Sequence, residues 1–240
     1  MKTYRNIHEA YEGVLDDVYF NYEYKCSPRG QAIREKTDYS FRVEYPECTP
    51  IITQSEERNK KIESYTKKEL DLYNSGTNKA ADFAKASKFW NQIANADGTV
   101  NSAYGHLIWK KKSLGQKVKM TPWDWCVNSL KADKDTRQAI LRFSLPEHHY
   151  AGVKDFVCTL QGNFLIREDK LHLAVSMRSN DMVLGLAYDM PFFCSLIDKM
   201  VDELKGSYPD LKKGHYTHFT HSAHIYERNE IEVLQMLGLE

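Results

Sequence analysis

The chain has 240 residues, 42% hydrophobic and 28% charged, which predicts one folded domain over 1–240 with a sizeable core. Lys+Arg and Asp+Glu balance at 33 each, so long-range charge gives no pull toward nucleic acid or an anionic membrane. An anionic ligand must then be held by a few placed side chains. No apolar run approaches the roughly 20 residues a bilayer crossing needs. The start Met1-Lys2-Thr3-Tyr4-Arg5-Asn6 lacks the apolar core of a signal peptide, so a cytoplasmic location is expected. Five cysteines (Cys26, Cys48, Cys126, Cys158, Cys194), odd in number and without CxxC spacing, argue against a disulfide framework or a Cys-rich zinc site. They leave a reduced thiol free for chemistry.

Residues 8–24 carry apolar side chains at near-helical spacing and predict a helix, broken by the turn-forming Ser27-Pro28-Arg29-Gly30. Residues 39–43 alternate as a strand does. Residues 55–73 predict a charged amphipathic helix, opened by Ser55 and closed before Gly76. Residues 80–94 read as helical, and residues 123–131 as a helix with Pro122 just inside its start. Beyond Ala139 the pattern changes: residues 140–143, 155–166 and 171–177 read as strands, the last two joined at Glu168-Asp169-Lys170. Residues 189–204 form a strongly patterned helix, and residues 216–226 a late strand. The class expected is α/β of the α+β kind, with long antiparallel stretches and no regular βα alternation.

Three segments can carry chemistry. Cys158 follows Asp155-Phe156-Val157 in a strand-like run, where a lone cysteine is ordinarily a small buried residue. Arg178-Ser179-Asn180-Asp181-Met182-Val183-Leu184-Gly185 offers groups suited to anions and ring edges, or merely a polar loop with a helix cap. His224-Ile225-Tyr226 sets two polar rings on one strand face. His215, His218, His221 and His224 recur every third residue, which admits a metal-binding reading. On a strand, however, only His218 and His224 share a face with Tyr226, so no metal site is expected.

Taken in order, these segments resemble the catalytic half of the thymidylate synthase superfamily, and within it the phage deoxycytidylate hydroxymethylase branch. Ser27-Pro28-Arg29-Gly30 resembles that family's phosphate loop, Lys68-Glu69-Leu70-Asp71-Leu72-Tyr73 its Glu-Leu helix and Asn101-Ser102-Ala103-Tyr104-Gly105 its Tyr-Gly turn. Asp135-Thr136-Arg137 resembles the arginine segment lent by the second subunit, although Gln138 stands where a second arginine is usual. The resemblance implies a thymidylate-synthase-like fold, a mixed β-sheet covered by helices, in a homodimer joined through the sheet. Cys158 would be the nucleophile, and Arg29, Arg137, Arg178 and Ser179 the phosphate site. His224 and Tyr226 would bind the sugar 3′-hydroxyl. Glu69 would order water and assist proton transfers, and Asp189 would read the base where thymidylate synthases carry asparagine. Asp181 would bound the nucleotide pocket and, with Trp90, contact the pterin of 5,10-methylenetetrahydrofolate.

The chemistry so implied suits these side chains. Carbon 5 of a pyrimidine is a poor nucleophile until a thiolate adds at carbon 6. A nearby arginine favours the thiolate, so Arg178 is expected to lower the thiol pKa. The chain ends Gln235-Met236-Leu237-Gly238-Leu239-Glu240, without a convincing apolar tail to close over the folate, which favours water attack and a hydroxymethyl product. The expected substrate is dCMP. CMP hydroxymethylation, a methylating dCMP or dUMP synthase, and a non-catalytic nucleotide-binding regulator remain alternatives. A regulator would keep the arginines without needing Cys158.

Overall fold

The computed structural model describes residues 1–112 and 119–240. Among these, eight strands form one mixed sheet: β1 Lys2–Tyr4, β2 Tyr24–Cys26, β3 Ile33–Val43, β4 Ile140–Arg142, β5 Thr159–Arg167, β6 Lys170–Met177, β7 Asn180–Asp181 and β8 Lys212–Tyr226. The order is β1-β3-β8-β6-β5-β4, with β2 beside β3 and β7 beside β8. β1 runs parallel to β3, and β6 and β7 run parallel to β8; the other neighbours are antiparallel. The helices are α1 Ile7–Phe20, α2 Glu56–Ser75, α3 Ala80–Phe83, α4 Phe89–Ile93, α5 Tyr104–Trp109, α6 Pro122–Ala132, α7 Leu186–Leu204 and α8 Glu230–Met236. No helix among the described residues is long and apolar enough to cross a membrane.

The core is organised around α7. Its buried residues run without interruption from Met190 to Ile197, because the helix lies on β6 and β8 and is covered in turn by α2. Phe193 stacks toward Tyr216 of β8 at 6.2 Å, and Phe192 meets Tyr73 of α2 at 4.7 Å. Each such side chain taken from water contributes roughly 1.5–3 kcal/mol. In α2 the buried positions Ile62, Thr66, Glu69 and Tyr73 repeat at helical spacing, so a glutamate occupies a core-facing stripe of an otherwise charged helix. The Ser55 hydroxyl accepts from Arg58 N at its start, and Gly76 closes it with φ 70°. α5 crosses α2 so closely that a Cβ on Gly105 would lie 1.8 Å from the Tyr73 carbonyl oxygen, which accounts for glycine there.

Several elements differ from expectation. The first helix stops at Phe20, and Tyr24–Cys26 pairs with Ile33–Glu35 as a strand instead of continuing the helix. β3 begins six residues before the predicted 39–43, hidden in the sequence by the charged run Arg34-Glu35-Lys36. Lys36 reaches Asp17, and Arg34 reaches Glu230, so these charges are paired on the sheet. The helix expected over 80–94 is two short pieces that bring Phe83 and Trp90 together at 4.8 Å. Tyr104-Gly105 opens a helix where a turn was expected.

Candidate active site

Cys158 lies one residue before β5, not within the strand predicted over 155–166. The reason is local. The carbonyls of Phe156 and Val157 accept from the Arg178 guanidinium, not from a neighbouring strand. The guanidinium packs on the Phe156 ring at 4.8 Å, and Arg178 Nη2 stands 3.4 Å from Cys158 Sγ. Upstream, the buried Asp155 carboxylate accepts from the Ser102 backbone N–H and hydroxyl, and Asn101 Nδ2 donates to the Asp155 carbonyl. Downstream, the Thr159 hydroxyl donates to Tyr104 Oη at 2.9 Å. The half-buried thiol is thus presented from an anchored bend.

The electrostatics give Arg178 the lowering effect expected of it and add what opposes it. Burial pushes the Cys158 thiol up; Arg178 pulls it back down, and the negative charges of Asp189 and Asp155 push it up again. The net direction is upward, so Arg178 moderates a desolvated thiol without making it acidic. Arg29 also lowers it, although its side chain is exposed on the turn Pro28–Gly30. Arg29 sits at φ 53°, a left-handed conformation that few non-glycine residues adopt.

Of two carboxyl groups on the helices, Asp189 acts on the thiol and also on Glu69. Glu69 on α2 is 8% exposed, and burial together with the charge of Asp189 raises it to about 8, against the hydrogen bond it accepts from Tyr65. Asp189, in the first turn of α7, is raised to about 7 by desolvation and by Asp181, while Asn180 holds it down. Asp189 does not cap its helix: Gly185 occupies the N-cap, and Asp189 Oδ2 accepts from Asn180 Nδ2 at 2.7 Å. A Cβ on Gly185 would come within 2.8 Å of that same Nδ2, so glycine leaves room for the buried amide.

β7 brings the next residues in. Its Asp181 pairs in register with His224 of β8. Asp181 Oδ1 accepts from the N–H groups of Val183 and Leu184; its carboxyl is raised by desolvation, with the neighbouring His224 pulling it down. The Ser179 hydroxyl lies 3.5 Å from His224 Nδ1, and the Tyr226 ring meets the His224 ring edge-on at 5.2 Å. Trp90 is 7% exposed and donates from Nε1 to the Tyr65 hydroxyl. Arg137 is exposed between α6 and β4, and among the described residues its side chain takes no hydrogen bond or ion pair. The fold therefore gathers Cys158, Arg178, Glu69 and Asp189, with Ser179, Asp181, His224 and Tyr226 on adjoining segments, and leaves Arg137 outside the group.

Tyr65 escaped the sequence reading, as did the partners of Asn180 and Asp155. Tyr65 stands four residues before Glu69, the spacing that stacks two side chains on one helix face, and that signal was available. The pairing of Asn180 with Asp189 depends on how β7 enters α7 and has no sequence signal. In the histidine run, His218 is fully buried, bonded to the Tyr216 hydroxyl and stacked on Phe41 at 5.1 Å. Among the described residues no three His, Cys, Asp or Glu side chains gather to hold a metal ion.

The family model described as thymidylate synthase matches residues 9–238, and the chain belongs to the thymidylate synthase family. Its class is one-carbon transfer to dCMP or dUMP. The deoxycytidylate 5-hydroxymethyltransferases of Enterobacteria phages T6 and T4 are each 31% identical over 174 residues, covering 70% of this chain and 68% of theirs. Thymidylate synthase of Bacillus licheniformis is 28% identical over 140 residues, 58% of this chain and 48% of its own. The structure of thermostable thymidylate synthase A from Bacillus subtilis shares the fold, with a TM-score of 0.70 over 95% of this chain and 83% of that one, at 22% identity.

Proposed function

We propose that this protein hydroxymethylates carbon 5 of dCMP, with Cys158 as nucleophile and 5,10-methylenetetrahydrofolate as cosubstrate, acting in the cytoplasm. The observation that carries the choice of base is Asp189. A carboxyl group raised to about 7 and held at Oδ2 by Asn180 can accept from the cytosine amino group and share a proton with nitrogen 3. Likeness to two deoxycytidylate 5-hydroxymethyltransferases supports the same reading.

Two features fit a pterin. The Trp90 indole N–H is committed to Tyr65, which fixes the ring's orientation, and Asp181 Oδ2 takes no hydrogen bond among the described residues. When bound, methylenetetrahydrofolate supplies a carbon at the oxidation level of formaldehyde and departs as tetrahydrofolate. This chain's residues do the rest. Cys158 Sγ, as thiolate, adds to carbon 6, and the electron pair released to carbon 5 forms the new carbon–carbon bond. Glu69, in its ionised fraction, accepts the carbon 5 proton through ordered water and passes it to the folate nitrogen as the carbon–nitrogen bond breaks. The oxygen of a second water then bonds to the exocyclic carbon, its proton passing to Glu69, as the sulfur–carbon 6 bond breaks and returns the thiolate. Arg178 keeps Nη1 free of protein bonds among the described residues for phosphate; Arg29 and Ser179 share that role, and His224 and Tyr226 take the sugar hydroxyl. Arg137 serves the partner's phosphate in a sheet-joined homodimer.

The test separates chemistry from binding. Cys158→Ser should abolish product while leaving dCMP affinity within roughly tenfold, because the thiol serves a bond formed only during reaction. Appreciable turnover by a verified Cys158→Ser protein would sink the mechanism.

A further inference from the structure

Tyr65 lies between two residues of the site, and its hydrogen bonds have a determined direction. Trp90 Nε1 is 3.0 Å from the Tyr65 hydroxyl, which is 3.1 Å from Glu69 Oε1. An indole N–H can only donate, so the hydroxyl accepts from Trp90 and its single proton must point at Glu69. Burial and the Glu69 charge push the Tyr65 hydroxyl well above the usual phenol range, so it keeps that proton throughout the working pH range. The ring is steadied by Tyr188, 4.5 Å away and adjacent in sequence to Asp189. Bonds polarised in one direction reinforce each other in a poorly solvated interior.

We propose that Tyr65 is a positioning residue: its hydroxyl ties Trp90, at the expected cosubstrate wall, to Glu69 and fixes that carboxyl group for proton transfer. The proposal rests on the role in proton transfer proposed above for Glu69. Trp90 then acts at a distance, and any shift of its ring reaches Glu69 through one hydroxyl.

Tyr65→Phe removes the hydroxyl and keeps the ring on Tyr188. Trp90→Phe keeps the hydroxyl and removes its donor. The readout is the Glu69 carboxyl titration in the free protein, followed by carbon-13 NMR on glutamate-labelled samples and assigned by the resonance missing from Glu69→Gln. Tyr65→Phe should move the Glu69 midpoint upward by about one pH unit, since a bond to the ionised form is lost. Trp90→Phe should move it the same way by less. The corresponding limb of the kcat profile should follow, with nucleotide KM changed by no more than about twofold. Unchanged midpoints in both variants would overturn the proposal. A midpoint that moves while the kcat profile stays fixed would also overturn it, by removing Glu69 from the reaction while the hydrogen-bond chain stands. Should Tyr65→Phe fail to fold, Trp90→Phe decides by the same criteria.

Discussion

The side-chain amide of Asn180 donates to Asp189 Oδ2 at 2.7 Å, on the side of the pocket where the base is expected. Because Oδ2 accepts, the proton that Asp189 carries near neutrality resides on Oδ1. With Oδ1 toward nitrogen 3, this arrangement offers a donor to that unprotonated nitrogen and an acceptor to the amino group, which is the cytosine pattern. Uracil would set donor against donor and acceptor against acceptor. Each group left unpaired costs about 1–3 kcal/mol, and sites reading such groups can discriminate by about 10⁴-fold. The native enzyme should therefore prefer dCMP to dUMP. Asp189→Asn should shift the kcat/KM ratio toward dUMP by roughly 10²-fold or more, and Asn180→Ala should shift it the same way by less. A native preference for dUMP, or ratios unmoved by Asp189→Asn, would remove Asp189 as the base reader.

Glu69 predicts a pH dependence of stability. Its carboxyl goes from an ordinary 4.5 to about 8 on folding. Between those values the native state holds a proton that the unfolded chain has released, so this group's contribution to stability falls as pH rises from about 4.5 to about 8. Glu69→Gln removes that penalty. Its melting temperature should exceed the native one by a margin that grows across that window and then levels, corresponding to on the order of 5 kcal/mol at the top. A constant difference across the window would show that Glu69 is not held as a desolvated carboxyl.

The exposed Arg137, without a hydrogen bond or ion pair among the described residues, and the family resemblance of its segment together predict a shared site. Inactive Arg137→Ala and Cys158→Ser chains, mixed under subunit exchange, should recover part of the activity, because one site of each heterodimer is intact. No recovery in demonstrably mixed dimers would place Arg137 outside the neighbouring site.

What the sequence revealed follows a physical division. The pattern of α7 was plain because its apolar stripe meets both a sheet and a helix, and the motifs around Cys158, Arg178 and His224 were plain because each is short and contiguous. The beginning of β3 was masked by charges whose partners lie far along the chain. The net direction of the thiol's pKa was not legible for a related reason. Attraction to an adjacent arginine can be inferred from a motif, whereas desolvation depends on everything packed around the sulfur. The chain from Trp90 through Tyr65 to Glu69 joins two helices and became visible only once both were in place.

The central claim is hydroxymethyl transfer to dCMP, and the most direct measurement is the mass of the nucleotide formed from dCMP and methylenetetrahydrofolate, with absorbance followed for dihydrofolate. Water attack adds the elements of formaldehyde to dCMP and leaves tetrahydrofolate. Reduction gives a methyl group and oxidises the folate to dihydrofolate in equal amount. The account predicts 5-hydroxymethyl-dCMP with no rise in dihydrofolate. A methylated nucleotide accompanied by stoichiometric dihydrofolate would contradict it.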